Sequence, residues 1–238
     1  ARILAKAVNC KLVNQQISES AIKLDGDACG VCEVCKAIEH GNFIDLVEID
    51  AASNTSVENV RDLIEHVKFA PSIGSYKVFI IDEVHMLSKS AFNALLKTLE
   101  EPPKHAIFIL ATTEINKVPV TIVSRTQKFD FKSLSQPDLV NHLQKLCKEE
   151  KVEIKPEILE LVAQNADGSV RDSLSLLGKV LTLGTNISLE ECQQLLGVTD
   201  IGLCENLLGL ILEGEAKEIP GFYNGISEKG LDFTIFNK

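Results

Sequence analysis

The sequence contains no apolar run approaching the roughly 20 residues that a membrane-spanning helix needs. Its first residues, Ala1-Arg2-Ile3-Leu4-Ala5-Lys6, lack the form of a secretory signal. The expectation is a soluble, cytoplasmic protein without a membrane partner. Basic charge is also short: 24 Lys and Arg stand against 34 Asp and Glu, a net charge of -10. A chain that coats nucleic acid by itself neutralises phosphates with Lys and Arg, so this balance argues against that class, and any DNA contact is local or shared. A third absence is a phosphate loop. Gly197/Gly202, Gly209/Gly214 and Gly225/Gly230 have the spacing of Gly-x4-Gly-Lys-Ser/Thr, but Leu203, Glu215 and Leu231 follow them in place of Lys.

What is present is 45% apolar content over 238 residues, enough for one large or two to three smaller cores. The chain is organised around Val78-Phe79-Ile80-Ile81-Asp82-Glu83-Val84-His85. Four apolar residues followed at once by two carboxylates read as a buried strand whose acids emerge at its C-terminal edge. In open α/β sheets that edge is where ligands bind. In a Walker B reading, Asp82 holds Mg²⁺ through a water and Glu83 orients and polarises the attacking water in phosphoryl transfer. The plainer alternative is a strand ending in a solvated acidic turn.

Seven cysteines is an odd number, and a cytosolic setting disfavours disulfides. Cys10 is followed, after a polar insert, by Cys29, Cys32 and Cys35 at two-residue gaps. Four thiolates make a closed tetrahedral Zn²⁺ site, structural because no position is left for a catalytic water. The iron–sulfur alternative wants a fourth Cys three residues on and then Pro, whereas Lys36-Ala37-Ile38-Glu39 follow. Inert thiols are a further alternative. Cys147, Cys192 and Cys204 stand alone and are read as core residues.

In chain order, Ala1 to Val8 has helical spacing with no N-cap before it, so the chain opens in mid-helix and something is expected upstream. Leu46–Asp50 reads as a strand, then Ser56 caps a helix from Val57 to Phe69 whose N-terminus suits either ordinary capping or a DNA phosphate. Ser88 caps the helix that follows the central strand through Leu99, and Glu100-Glu101-Pro102-Pro103 ends it. Ile107 to Thr113 is a third buried strand ending in two hydroxyls, which sets Thr113 beside Asp82 if the strands are adjacent. Val120 to Arg125 is a short apolar helix ending in an arginine without an obvious local acid, and Lys128-Phe129-Asp130-Phe131 alternates as a last strand. From Ser135 the pattern is helical: Gln136–Glu150, Pro156–Asn165, Ser169–Leu183, Ser188–Leu196 and Ile201–Glu213. Arg171 falls in the first turn of one of these helices, where the positive dipole end disfavours a cation. It is either paired with Asp167 or Asp172 or set there for a negative ligand.

Taken together, Asp82-Glu83-Val84-His85, the run Asn93 to Pro103, Ser124-Arg125 and Gly168-Ser169-Val170-Arg171-Asp172, with Cys10, Cys29, Cys32 and Cys35, resemble the gamma/tau clamp-loader ATPases of bacterial DNA polymerase III. The resemblance covers residues 1 to about 200. It implies an α/β AAA+ P-loop NTPase-type core with a parallel sheet over 1–132, carrying a zinc module at 10–35. A helical lid over 133–187 and the start of a helical collar over 188–238 would follow. In that family the opening helix follows directly on the phosphate loop. The resemblance further implies that Thr113 contacts the γ-phosphate of ATP, that Arg125 is a finger acting in trans on a neighbour's ATP, and that Arg171 reads the γ-phosphate in cis. The implied partners are the other clamp-loader subunits in a hetero-oligomeric ring, the sliding clamp and primer–template DNA. The departures are the missing phosphate loop, a long insert between Cys10 and Cys29, and Thr126 where the family usually has Cys.

Two rivals differ in class. A delta-prime-like scaffold offers Ser-Arg in trans and zinc but hydrolyses nothing; Asp82-Glu83 and Arg171 are superfluous to it. A zinc-dependent DNA-binding module wants basic and aromatic residues around the cysteines, which the sequence does not provide. Because the phosphate loop supplies most phosphate contacts, calorimetry on this polypeptide is expected to find no micromolar affinity for Mg-ATP. Micromolar binding would overturn the reading.

Overall fold

The computed structural model describes residues 1–14, 27–184, 187–196, 208–214 and 217–222. Three strands, β1 (Leu46–Asp50), β2 (Lys77–Asp82) and β3 (Ala106–Leu110), form a parallel sheet in the order β1-β2-β3. The central strand is buried along Lys77 to Ile81 and emerges only at Asp82. Its pleat sends Phe79 and Ile81 into one apolar cluster and Val78 and Ile80 into another. A strand with a core on each face reads as a continuous hydrophobic run, not as an alternation.

Helices cover both faces of the sheet. On the first face pack α4 (Val57–Val67), α5 (Lys89–Glu100) and α6 (Val120–Val123), through Val60, Leu63, Leu95 and Ile122. On the second lie α1 (Arg2–Asn9) and α3 (Glu33–Glu39), through Ala5, Val34 and Ile38; the short α2 (Lys11–Asn14) follows α1. Ser56 and Ser88 accept the amides of Asn59 and Ala91, as N-caps should.

Two buried polar side chains secure the turn that leads into β2. Asp45, 1% exposed, accepts the amides of Ser72 (2.7 Å), Ile73 (2.7 Å) and Gly74 (2.8 Å). Asn9 Oδ1 accepts the amide of Tyr76 at 2.8 Å. Gly74 is required there, because a Cβ would fall 2.5 Å from Asn9 Oδ1. The turn is thus tied to the end of α1, next to Cys10.

The contacts divide the chain into two units, Ala1–Phe129 and Asp130–Lys238. The second is helical in its described residues: α7 (Gln136–Glu149), α8 (Pro156–Asn165), α9 (Val170–Thr182) and α10 (Leu189–Leu196), with 208–212 and 219–222 also helical. Leu139, Leu143, Ile158, Val162, Leu177 and Val180 form its core, joined by the expected Cys147 and Cys192. The helix expected over Ile201–Glu213 lies mostly outside the described residues, as does Cys204.

One expected element is absent. Lys128 to Phe131 is neither strand nor helix, and Phe129 and Phe131 are 69% and 96% exposed. Alternation marks a strand only where one face is buried and a neighbouring ladder supplies the hydrogen bonds. Among the described residues the sheet has only its three strands. For the Asp45 tie, Asp45→Ala leaves three amides without their acceptor, so it is expected to destabilise the first unit by about 2 kcal/mol or more in denaturant unfolding.

Candidate functional site

Parallel register sets Asp50 against Asp82 and Ile81 against Leu110, so the three strands end together. The edge is then closed by backbone hydrogen bonds: Ala51 N to Asp82 O (2.9 Å), Ala111 N to Ile81 O (2.9 Å) and Val84 N to Ala111 O (2.9 Å). Where β2 leaves the sheet, Glu83 adopts φ 46°, ψ 46°, a left-handed conformation. A non-glycine residue there costs on the order of 1–3 kcal/mol, and such strain gathers at functional sites. The exposed Asp82 carboxylate caps this turn, its Oδ1 accepting the Glu83 amide at 3.0 Å.

Glu83 meets the end of β3. Thr113 Oγ1 donates to Glu83 Oε2 at 3.2 Å. Thus Asp82, Glu83 and Thr113 stand together at one edge, with the threonine on Glu83. Sequence reasoning missed three more residues here. His85, its side chain 6% exposed, places Nδ1 2.9 Å from Thr112 Oγ1 and 3.3 Å from Glu83 Oε2, and Nε2 3.4 Å from Glu114 Oε1. A hydrogen bond from Lys117 Nζ, at 2.7 Å, holds the Glu114 carboxyl below its usual range. The signal for His85 was its place two residues after Glu83.

Arg125 is not without a local acid, as the sequence suggested. Its guanidinium grips Glu100 at the end of α5, with Nε 2.9 Å from Oε1 and Nη2 on the same oxygen, while Nη1 donates to Thr121 O at 2.7 Å. The acid was hidden because it lies 25 residues earlier, and only the packing of α5 against α6 brings the two ends together. In the second unit, Ser169 caps α9 by accepting the amide of Asp172, which leaves Arg171 in the first turn. It is exposed, and among the described residues it makes no ion pair with Asp167 or Asp172. The loop before it depends on Gly168 at φ 80°, where a Cβ would fall 2.5 Å from Ser133 Cβ.

A second site lies between α1 and α3. The sulfurs of Cys10, Cys29, Cys32 and Cys35 all lie within 4.8 Å of one another, and Cys29 and Cys35 are 3.9 Å apart. Four thiolates around one tetrahedral ion at about 2.3 Å would stand about 3.8 Å apart, so the cluster can hold a metal ion. Amides already point at the sulfurs: Cys29 N at Cys10 Sγ (3.5 Å), Cys32 N at Cys29 Sγ (3.3 Å) and Cys35 N at Cys32 Sγ (3.5 Å). Burial pushes the Cys32 thiol up, but hydrogen bonds from the amides of Cys35 and Lys11 and from the neighbouring thiols outweigh it, leaving it at about 6. Burial, aided by Cys32, pushes Cys35 to about 12. Like charges this close cannot all form unless a cation joins them.

Two family models match the chain. One, described as "DNA polymerase III, delta subunit", matches residues 1–135; the other, "DNA polymerase III clamp loader subunit, ATPase lid domain", matches 138–186. The DNA polymerase III subunit tau of Escherichia coli K12 is 41% identical over 234 residues, 98% of this chain and 35% of that protein. The tau subunit of Bacillus subtilis is 50% identical over 187 residues, 79% of this chain and 31% of that protein. The chain spans about a third of the length of these curated relatives. Among solved structures, the Thermotoga maritima RuvB Holliday junction branch migration motor shares the fold, with a TM-score of 0.54 at 15% identity over 82% of this chain and 68% of that one.

Proposed function

The chain belongs to the DNA polymerase III clamp-loader family, its curated relatives being tau and gamma subunits, and from that we propose that it supplies the nucleotide-handling core and lid of a clamp-loader ATPase that sets a sliding clamp on primed DNA. The observation that carries the reading is the edge of β2. There, adjacent carboxylates on a fully buried strand meet a threonine from the next strand. On this reading residues 1–132 are an AAA+ core with a metal module at 10–35, 133–187 a lid, and 188–238 the start of a collar.

Asp82 is an exposed hard oxygen donor, the ligand type Mg²⁺ takes. Bound at this edge, Mg-ATP supplies the phosphoryl group and the charge that neutralises it. Glu83 accepts the proton of the attacking water as it turns it in line. Thr113, now on Glu83, exchanges that contact for the γ-phosphate. Arg171, in the first turn of α9 and without an ion pair among the described residues, takes the role of a lid arginine that reads the γ-phosphate in cis. Without a phosphate loop in the sequence, these groups alone do not hold ATP tightly.

A second reading is favoured by one observation, the match of residues 1–135 to the model described as a delta subunit. In it the chain is a scaffold that bears the metal and offers Arg125 to a neighbour without hydrolysing ATP itself. ATP turnover by the full-length protein separates the two.

The ion in the cysteine cluster is Zn²⁺, held for structure, because four thiolates fill a tetrahedral shell. Elemental analysis of freshly purified protein is expected to give about one zinc per chain. Less than about half an equivalent, or iron, would contradict it.

Arg125 reaches a neighbouring subunit's ATP by leaving Glu100. The pair is partly exposed, 31% for Arg125 and 49% for Glu100, and such pairs are worth about 1 kcal/mol or less, so release is cheap. Arg125→Ala in the full-length protein is expected to leave ATP binding near normal and to cut DNA-stimulated turnover roughly 10³-fold. In rings that mix mutant and normal subunits, the silent site should be the neighbour's. Silence at the mutant's own site would show a cis role and end the assembly-gated mechanism.

A further inference from the structure

His85 is a polar ring in a place that an apolar side chain could fill without the cost of desolvating two ring nitrogens. It lies in the short turn Val84–Met86, and its contacts form a chain in one direction. Thr112 Oγ1 is fixed by the amide of Glu114 at 3.0 Å and faces His85 Nδ1 at 2.9 Å. The same Nδ1 stands 3.3 Å from Glu83 Oε2, and Nε2 stands 3.4 Å from Glu114 Oε1. Thr113 Oγ1 donates a hydrogen bond to that Oε2. Both neighbours of the Glu83 carboxylate therefore fall on one oxygen, and among the described residues Oε1 has no partner.

We propose that His85 is a positioning residue for Glu83. Held by Thr112 and flanked by Glu114, its imidazole keeps Oε2 turned toward itself and Thr113, so that Oε1 is the oxygen presented to a water. The proposal rests on the ATPase reading of the β2 edge. It adds a requirement that reading lacks: the left-handed Glu83 backbone fixes where the carboxylate starts, but only a side-chain contact fixes its rotation. When Thr113 turns to a phosphate, His85 is the contact that remains. The ring also links Glu83 to the exposed Glu114–Lys117 pair, so a shift of the loop after β3 reaches the carboxylate through it.

The test uses the full-length protein with its clamp-loader partners, measuring kcat, KM for ATP and the thermal midpoint. His85→Asn places an amide N–H near the position of Nδ1 and keeps the Glu83 side. His85→Gln places one near Nε2 and keeps only the Glu114 side. The expected result is a kcat about tenfold lower or more for His85→Gln, with KM within about twofold, and a kcat within about threefold of normal for His85→Asn, as for outer-shell partners elsewhere. Equal losses in both, or an unchanged kcat in His85→Gln, overturns the proposal. Should both variants unfold, Thr112→Val carries the test, expected to lower kcat several-fold at unchanged KM; an unchanged kcat there overturns it. An unmutated protein that turns over no ATP overturns the ATPase reading itself, and is recognised before any variant is compared.

Discussion

Burial of β2 on both faces is the constraint from which the first unit follows. A strand flanked by parallel ladders and covered above and below has no polar outlet along its length. Its first polar side chain able to reach solvent is therefore Asp82, at the edge where the neighbouring strands end in register. The chain then turns abruptly to enter α5. Glu83 absorbs that reversal in a left-handed conformation, and the strain is offset by the hydrogen bonds of its amide to Asp82 and of its carboxylate to Thr113. Chemistry-bearing groups gather at this point because the fold leaves them no other.

The entrance of β2 is held as firmly as its exit. Asp45 and Asn9 bind the turn before Lys77, and Asn9 is the last residue of α1, immediately before Cys10. The cysteine cluster thus shares its anchor with the central strand. A cluster of four thiols whose amides already face the sulfurs gains most from a cation, since the field that lowers Cys32 cannot lower all four at once. A metal held there would stabilise the same junction as the sheet.

Much of this was legible because it is local. The apolar runs of β2 and β3, the caps at Ser56 and Ser88, and the cysteine spacing each carry their cause within a few residues. The failures share the opposite property. Lys128 to Phe131 has a strand's alternation, yet pairing depends on an edge that no local pattern reveals. Glu100 was unseen as the partner of Arg125, and Thr112 and Glu114 as partners of His85, because each contact joins the ends of different elements. His85 itself stood in the motif read from the sequence, but its neighbours are set by the register of β3, not by spacing.

On the proposed reading, the two groups closest to the chemistry are both engaged within the chain: Glu83 with Thr113 and His85, Arg125 with Glu100. Engagement with nucleotide is then an exchange of partners for Thr113 and Arg125, and its free energy is a difference between two sets of contacts. The Arg125–Glu100 pair is partly exposed to solvent, so it is worth about 1 kcal/mol or less, small enough for a phosphate's charge to displace. Against a solvated side chain the same phosphate would have to order the group as well as bind it, at an entropic cost of up to about 2 kcal/mol for a long side chain. On that reading, holding Arg125 on a weak internal partner removes most of that cost in advance. It also makes the two ends respond separately, since Thr113 leaves Glu83 through events at the end of β3 and Arg125 leaves Glu100 through whatever approaches the end of α5. On the proposed reading, a subunit built this way would distinguish its own nucleotide from its neighbour's without any change in the sheet.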